Sequence, residues 1–331
     1  MPKTWKPEEI EEILRGTLGA CVVAAGAELD VFGALKTGPL DAAQISTRLG
    51  ADLRAVTYTL DALAAMQLLV KENGRYSNAP GIAEALTDAG PDNSLAMVRH
   101  LANCMRSWTH LAHVVKSGEP VDRGPSIRGP EGDRESFVEA MNNASRRMAG
   151  PLVAAIGPPP FKRLLDVGAG PGTWTIAFLK ATTGTTATVY DLPDAMPIAR
   201  RHVEEAGLLD RVTFAPGNFY EDAKLPAGAD MAWVSAIVHM NSREQNRALL
   251  RKVRAALVTG GKVLVRDIYV DEARVNPPFG ALFAVNMLVN TDGGGTFTFG
   301  EMREDLEAAG FRNTTMLHQG KGMDSVVQAI A

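Results

Sequence analysis

The sequence predicts an α/β protein in which a doubly wound, Rossmann-like sheet follows a mostly helical N-terminal region containing a winged helix. Three observations carry that expectation. The apolar run Leu164-Leu165-Asp166-Val167 stops abruptly in Gly168, Gly170 and Gly172, spaced G-x-G-x-G. After three consecutive prolines, Pro158 to Pro160, strand-like and helical patterns alternate. Between residues 40 and 78 the pattern is helix, turn, helix and hairpin. At 331 residues the chain is long enough for two domains and a large core.

Residues 7–35 repeat apolar side chains at helical spacing (Ile10, Ile13, Leu14, Leu18, Val22, Phe32) and are interrupted by Gly16, Gly19 and Gly26. This predicts two or three amphipathic helices. A helix over 41–49, a turn at Gly50, a helix over 53–67, an apolar strand over 68–70 and an Asn73-Gly74 turn before Arg75-Tyr76 come next. Asp52 is placed to cap the second helix, and Asn73-Gly74 to form a tight hairpin turn. The winged-helix shape invites a DNA-binding reading, but the charge argues against it. Arg48, Arg54, Lys71 and Arg75 are balanced by Asp41, Asp52, Asp61 and Glu72, whereas phosphate contacts need an excess of cations. A packing or dimerisation role fits, and no nucleic-acid partner is expected.

From 93 to 156 the pattern is helical again, with Met97, Leu101, Met105, Trp108 and Leu111 on one face and a Gly/Pro-rich, charged loop over 116–134. His110 and His113 stand three residues apart without a cysteine or carboxylate beside them at ligand spacing, so no metal is expected. The three prolines end this part, because they cannot continue a helix. Strands over 163–167, 186–191, 211–215, 229–235 and 262–268 then alternate with helices near 174–180, 195–206 and 242–256, as a parallel sheet requires. Helices over 280–290 and 300–309 and strands over 311–318 and 326–330 close the chain.

Composition bounds the function. With 46% hydrophobic and 22% charged residues the chain is ordinarily globular, and a formal net charge of −4 gives no electrostatic reason to seek nucleic acid or an anionic membrane. Cys21 and Cys104 are its only cysteines, too few for a disulfide framework. The polar start and the absence of any run of about 18 apolar residues point to a cytoplasmic protein without a membrane partner.

The glycines have a steric role. Lacking Cβ atoms, they let the backbone turn sharply and touch a ligand, while the following helix directs its amide dipoles at the same spot. The spacing is not the G-x-G-x-x-G of dinucleotide enzymes, and no Walker-type Lys-Ser/Thr follows. Asp191 ends the next strand about 20 residues on, where an acid grips ribose hydroxyls.

This glycine turn and acid resemble motif I and the ribose loop of class I S-adenosylmethionine-dependent methyltransferases. Over nearly the whole chain, the order of elements is similar to that of small-molecule O-methyltransferases of the plant caffeic-acid and bacterial polyketide and phenazine type. The resemblance implies a Rossmann-like methyltransferase sheet with an N-terminal winged-helix dimerisation domain. Residues 1–100 would dimerise, 101–160 would link and contribute to the substrate pocket, and 161–331 would bind the cofactor. It implies a homodimer, S-adenosylmethionine as cofactor and S-adenosylhomocysteine as product. Gly168, Gly170 and Gly172 would lie against the methionine part, and Asp191 with Leu192 would hold the ribose. Asn218 and Phe219 would receive the adenine. Ser235 stands at a cofactor-contacting position occupied by Lys in plant members. Asn218 replaces the family's Asp, yet its amide oxygen still accepts from an adenine amino group.

The same matching implies that His239, after the fourth strand, is the general base. A neutral imidazole, of ordinary pKa about 6.5, is suited to take the proton of a phenol of pKa near 10 as the methyl arrives. Asp267, ending the fifth strand, would orient it. Trp108, Met141, Asn142, Met287 and Asn290 would line an acceptor pocket for a small, aromatic hydroxyl compound. Met240 and Thr296 depart from the family, which has an Asp and a Glu at about these positions. The thinner acid set leaves open N- or C-methylation, or a use of the sulfonium without methyl transfer. A reading of another class is a metabolite-sensing winged-helix regulator.

Overall fold

A computed structural model of the chain describes residues 3–88, 90 and 93–331. The chain divides into two compact units, Met1–Met105 with Gly124–Asn143, and Arg106–Arg123 with Ala144–Ala331.

The first unit opens with α1 (Pro7–Glu28), α2 (Val31–Ala34), β1 (Leu40–Asp41), α3 (Ala42–Leu49), α4 (Leu53–Ala65), β2 (Leu69–Glu72), β3 (Arg75–Asn78) and α5 (Ile82–Leu86). The strands form an antiparallel sheet in the order β1-β3-β2, which completes the expected winged helix. Local chemistry sets its corners. The Asp52 carboxylate accepts from the Ala55 amide at 2.9 Å, satisfying a free N–H at the start of α4. Asn73 and Gly74 take φ of 48° and 76°, the left-handed pair that a two-residue hairpin needs. Phe32, Ile45, Leu60, Leu63 and Tyr76 fill the core.

Residues 7–35 form two helices, as expected, but the break falls after Glu28 and not at the glycines: residues 7–28 make a single 22-residue helix that runs through Gly16, Gly19 and Gly26. A Cβ on Gly19 would stand 3.2 Å from Met66, and one on Gly26 would stand 3.2 Å from Leu63, so these glycines are places of close approach to α4 and its end. That contact offsets the roughly 1 kcal/mol that each glycine costs a helix. Ile10, Ile13, Leu14 and Leu18 of α1 remain exposed, forming an apolar stripe. Three of the cations counted above stay exposed but have partners within this unit: Arg48 donates to the Ala34 carbonyl, Lys71 to Asp61 and Arg75 to the Pro39 carbonyl.

Three helices follow, α6 (Leu95–Trp108), α7 (Leu111–Ser117) and α8 (Gly129–Ile156). The last begins inside the stretch expected as loop, because the Asp133 carboxylate accepts from the Ser126 amide and hydroxyl and closes the connection onto the first turn.

The second unit contains β4 (Arg163–Val167), α9 (Thr173–Ala181), β5 (Thr186–Asp191), α10 (Met196–Glu205), β6 (Val212–Pro216), β7 (Ala229–Ser235), α11 (Arg243–Ala256) and β8 (Leu257–Asp267). It ends with β9 (Tyr269–Val270), α12 (Pro278–Asn290), β10 (Phe297–Thr298), α13 (Phe299–Ala308), β11 (Arg312–His318) and β12 (Ser325–Ile330). Seven strands form one sheet in the order β11-β12-β8-β7-β4-β5-β6, parallel except for β12, which is antiparallel to both neighbours. The winding reverses between β4 and β7, the place where such sheets open a crevice at their carboxyl edge. Val167, Val234, Val265 and Leu250 pack one face, while Leu164, Phe178, Trp233 and Leu264 pack the other. Arg243 and Arg247 of α11 converge on the fully buried Asp305 of α13, tying those helices together. Among the described residues, no helix is long and apolar enough to cross a membrane.

Candidate active site

At the carboxyl end of β4 the backbone enters the glycine turn, with φ of 67°, 53° and 76° at Gly168, Gly170 and Gly172. Gly170 is the position that matters most. An L-residue there is strained, and a Cβ would find no protein atom within 4 Å, so the space in front of the turn is open. Asp191, at the end of β5, accepts from the Gly170 amide at 2.6 Å and from the Leu192 amide at 2.6 Å. Burial pushes its carboxyl up and these two backbone bonds pull it down. Each carboxylate oxygen keeps a lone pair for a further donor. The turn and the acid therefore form one unit, an open cradle with hydroxyl acceptors at its rim, and it fits an adenosyl cofactor. Behind the turn, Asp166 is buried, receives Thr175 Oγ1 at 2.6 Å, and is pushed up to about 7 by that burial.

Phe219 lies beside this cradle, its ring 3.8 Å from where a Cβ of Gly168 would stand. Asn218 caps the loop by accepting from the Tyr220 amide at 3.0 Å, leaving one lone pair on its oxygen. Leu192 is exposed next to Asp191. Ser235 ends β7, and its hydroxyl accepts from Arg266 at 2.8 Å.

His239 follows β7 in a short 3₁₀ turn and is 7% exposed. Its Nδ1 is 2.9 Å from one oxygen of the buried Asp267 and 3.0 Å from the other. The Ile268 amide fixes that carboxylate from behind at 2.8 Å. With the ring proton on Nδ1 and donated to Asp267, Nε2 carries the lone pair that a base needs. Phe283 meets the imidazole edge to face, with centroids 4.9 Å apart.

Several supports of His239 are invisible at sequence level. The Gly295 amide donates to the His239 carbonyl at 2.8 Å, and a Cβ on Gly294 would stand 2.5 Å from that carbonyl. On the other side, Asn246 donates to the Val238 carbonyl and receives Asn241, which receives the Tyr220 hydroxyl at 2.6 Å. His239 is thus clamped through its backbone by residues from distant stretches. Only Asn246, a polar residue in register with Leu249, Leu250 and Val253 on the apolar face of α11, offers any signal.

Trp108, Met287 and Asn290 come together in the second unit. The Trp108 indole donates to Asn286 at 2.8 Å, Asn290 donates to the same amide oxygen at 3.1 Å, and Met287 is buried beside them on α12. Arg123 donates to the Asn290 oxygen at 3.0 Å. Met141 and Asn142 lie half-buried on α8 within the first unit. At the departures noted above, Met240 is partly buried and Thr296 is buried, its carbonyl accepting from Arg274.

Comparison with known proteins agrees with this arrangement. Residues 108–312 match the O-methyltransferase domain, and residues 12–97 match the O-methyltransferase dimerisation domain. A relative from Streptomyces sahachiroi, 3-hydroxy-5-methyl-1-naphthoate 3-O-methyltransferase, is 30% identical, over 99% of this chain and 96% of its own. The solved structure of LaPhzM superposes with a TM-score of 0.85 at 25% identity, covering 98% of both chains. Human N-acetylserotonin methyltransferase in complex with S-adenosylmethionine shares the fold, with a TM-score of 0.79 at 24% identity over 100% of this chain and 99% of that one.

Proposed function

The chain belongs to the O-methyltransferase family of S-adenosylmethionine-dependent enzymes, and from that membership we propose that it methylates the hydroxyl of a small aromatic, phenolic compound with His239 as general base. The observation that carries the reading is the buried His239–Asp267 pair with an aromatic ring, Phe283, against the imidazole. When bound, S-adenosylmethionine supplies an electrophilic methyl group on its sulfonium. Gly168, Gly170 and Gly172 admit it closely, Asp191 takes its ribose hydroxyls, and Phe219 and Asn218 take its adenine. Asp267 holds the imidazole in the tautomer whose Nε2 accepts the acceptor's hydroxyl proton. The ring of Phe283 favours a flat, apolar acceptor.

The domain roles follow the same reading. Residues 1–100 serve dimerisation, 101–160 help to line the acceptor pocket, and 161–331 hold the cofactor. Incubation with isotope-labelled S-adenosylmethionine and a panel of phenols, amines and carbon acids, followed by mass spectrometry, should find label on phenolic oxygen. Label confined to nitrogen or carbon would sink the hydroxyl assignment.

Two further expectations belong here. Asp191→Ala should weaken S-adenosylmethionine binding by about 1 to 3 kcal/mol, the scale of a hydrogen bond to a charged group. Unchanged affinity by calorimetry would remove Asp191 from the site. The exposed stripe of α1 should be covered by a second copy of the chain, since a monomer would leave a contiguous apolar patch in water. Deleting residues 1–35 should give monomer or aggregate in light scattering, and a monomeric, active full-length chain would contradict the homodimer.

A further inference from the structure

Arg266 takes no part in the chemistry above, yet it is a charged group placed at considerable cost. It stands on β8 opposite Ser235 of β7, at the carboxyl edge of the sheet and one strand from the β4/β7 reversal, and only 3% of its surface is exposed. One terminal nitrogen donates to Ser235 Oγ at 2.8 Å. The other reaches only the Met148 sulfur at 3.7 Å, a weak acceptor, and Nε has no hydrogen-bond partner. The guanidinium lies over the ring of Trp174, 4.6 Å from its centroid, and Trp174 is the second residue of the nine-residue helix α9. The guanidinium thus packs on a side chain from the first turn of that helix.

No carboxylate among the described residues pairs with the guanidinium. Asp267 and Asp324 attract Arg266 through space, but no ion pair to Arg266 is present among the described residues. Asp267 is committed to His239 and the Ile268 amide, and Asp324 accepts from the Gly322 amide. Burial pushes the guanidinium down to about 10, which leaves it charged at neutral pH. A buried cation of this kind is stabilised when an anion reaches it, and the planar fork of arginine matches a carboxylate.

We infer that Arg266, with Ser235, is the seat of a ligand carboxylate at the inner end of the cofactor crevice. The inference rests on the reading of the glycine turn as a cofactor cradle. Two ligands bring this chemistry: the amino-acid tail of the cofactor, or an acceptor that is itself an aromatic acid. Neither requires any other protein charge.

The test is calorimetry on the full-length chain and its Arg266→Gln variant, in two arms. In the first, S-adenosylhomocysteine is compared with its decarboxylated analogue. In the second, protein saturated with S-adenosylhomocysteine is titrated with a hydroxynaphthoate or its methyl ester. If the cofactor supplies the carboxylate, wild type prefers the intact cofactor by roughly 10- to 100-fold, and the variant loses that preference by weakening only the carboxylated ligand. If the acceptor supplies it, cofactor affinity is equal in both proteins, and the preference for acid over ester disappears in the variant. A variant that binds all four ligands as wild type does overturns the proposal, leaving Arg266 structural. Should the variant fail to fold, wild type alone decides, because absence of any preference for the carboxylated ligand in both arms also overturns it. A wild type that binds neither cofactor form would instead strike at the methyltransferase reading itself.

Discussion

His239→Ala is expected to lower turnover by about 10² to 10⁴ while leaving cofactor affinity nearly intact, the range for loss of a positioned base. The imidazole is 7% exposed and its Nδ1 is held by Asp267, so no solvent base easily takes its place. Asp267→Asn should cost less, because the ring stays but loses the charge that fixes its tautomer and stabilises its protonated form. The backbone would still be clamped by Gly295 and Asn246. A loss below about tenfold would mean that the site works by proximity alone.

Gly170→Val should abolish more cofactor binding than Asp191→Ala does. Gly170 has φ of 53°, a region where a β-branched residue pays roughly 1 to 2 kcal/mol or more in backbone strain. Its amide is also one of the two donors that fix Asp191, so any turn that relaxes the strain misplaces the acid. The added methyls would occupy the space the cofactor needs. Because a Cβ here touches no protein atom within 4 Å, the fold should survive, and circular dichroism should match wild type. Affinity within about threefold of wild type, by calorimetry, would show that the turn is not the cradle; an energy difference that small is under about 1 kcal/mol.

Elements whose cause is local were legible in the sequence. Strand β7, the Asp52 cap and the Asn73-Gly74 turn follow from a few neighbouring residues, and the structure forms them as expected. The glycine turn and Asp191 were legible as a pair because one strand-helix-strand unit contains both. What the sequence hid depends on packing between distant stretches. Gly19 and Gly26 looked like breaks until Met66 and Leu63 came close enough to explain them. Nothing local sets Arg266 apart, since its partner Ser235 lies 31 residues away. Phe283 carried no mark that it would meet His239, and the use of Gly294 and Gly295 against the His239 backbone has no local signature.

That last clamp has a consequence for how acceptor preference can change. Helix α12 carries Phe283, Asn286 and Met287, and four residues after its end the chain grips the His239 backbone at Gly294 and Gly295. Under the proposed function, acceptor recognition and proton removal therefore share one mechanical part. Mutations that tilt α12 to admit a new ring will also move the imidazole, so a library randomised over this helix should return variants in which kcat and KM shift together. Lineages that drift in substrate range are then constrained to keep the glycine segment while the helix before it varies, and an engineer would do well to divide the region the same way.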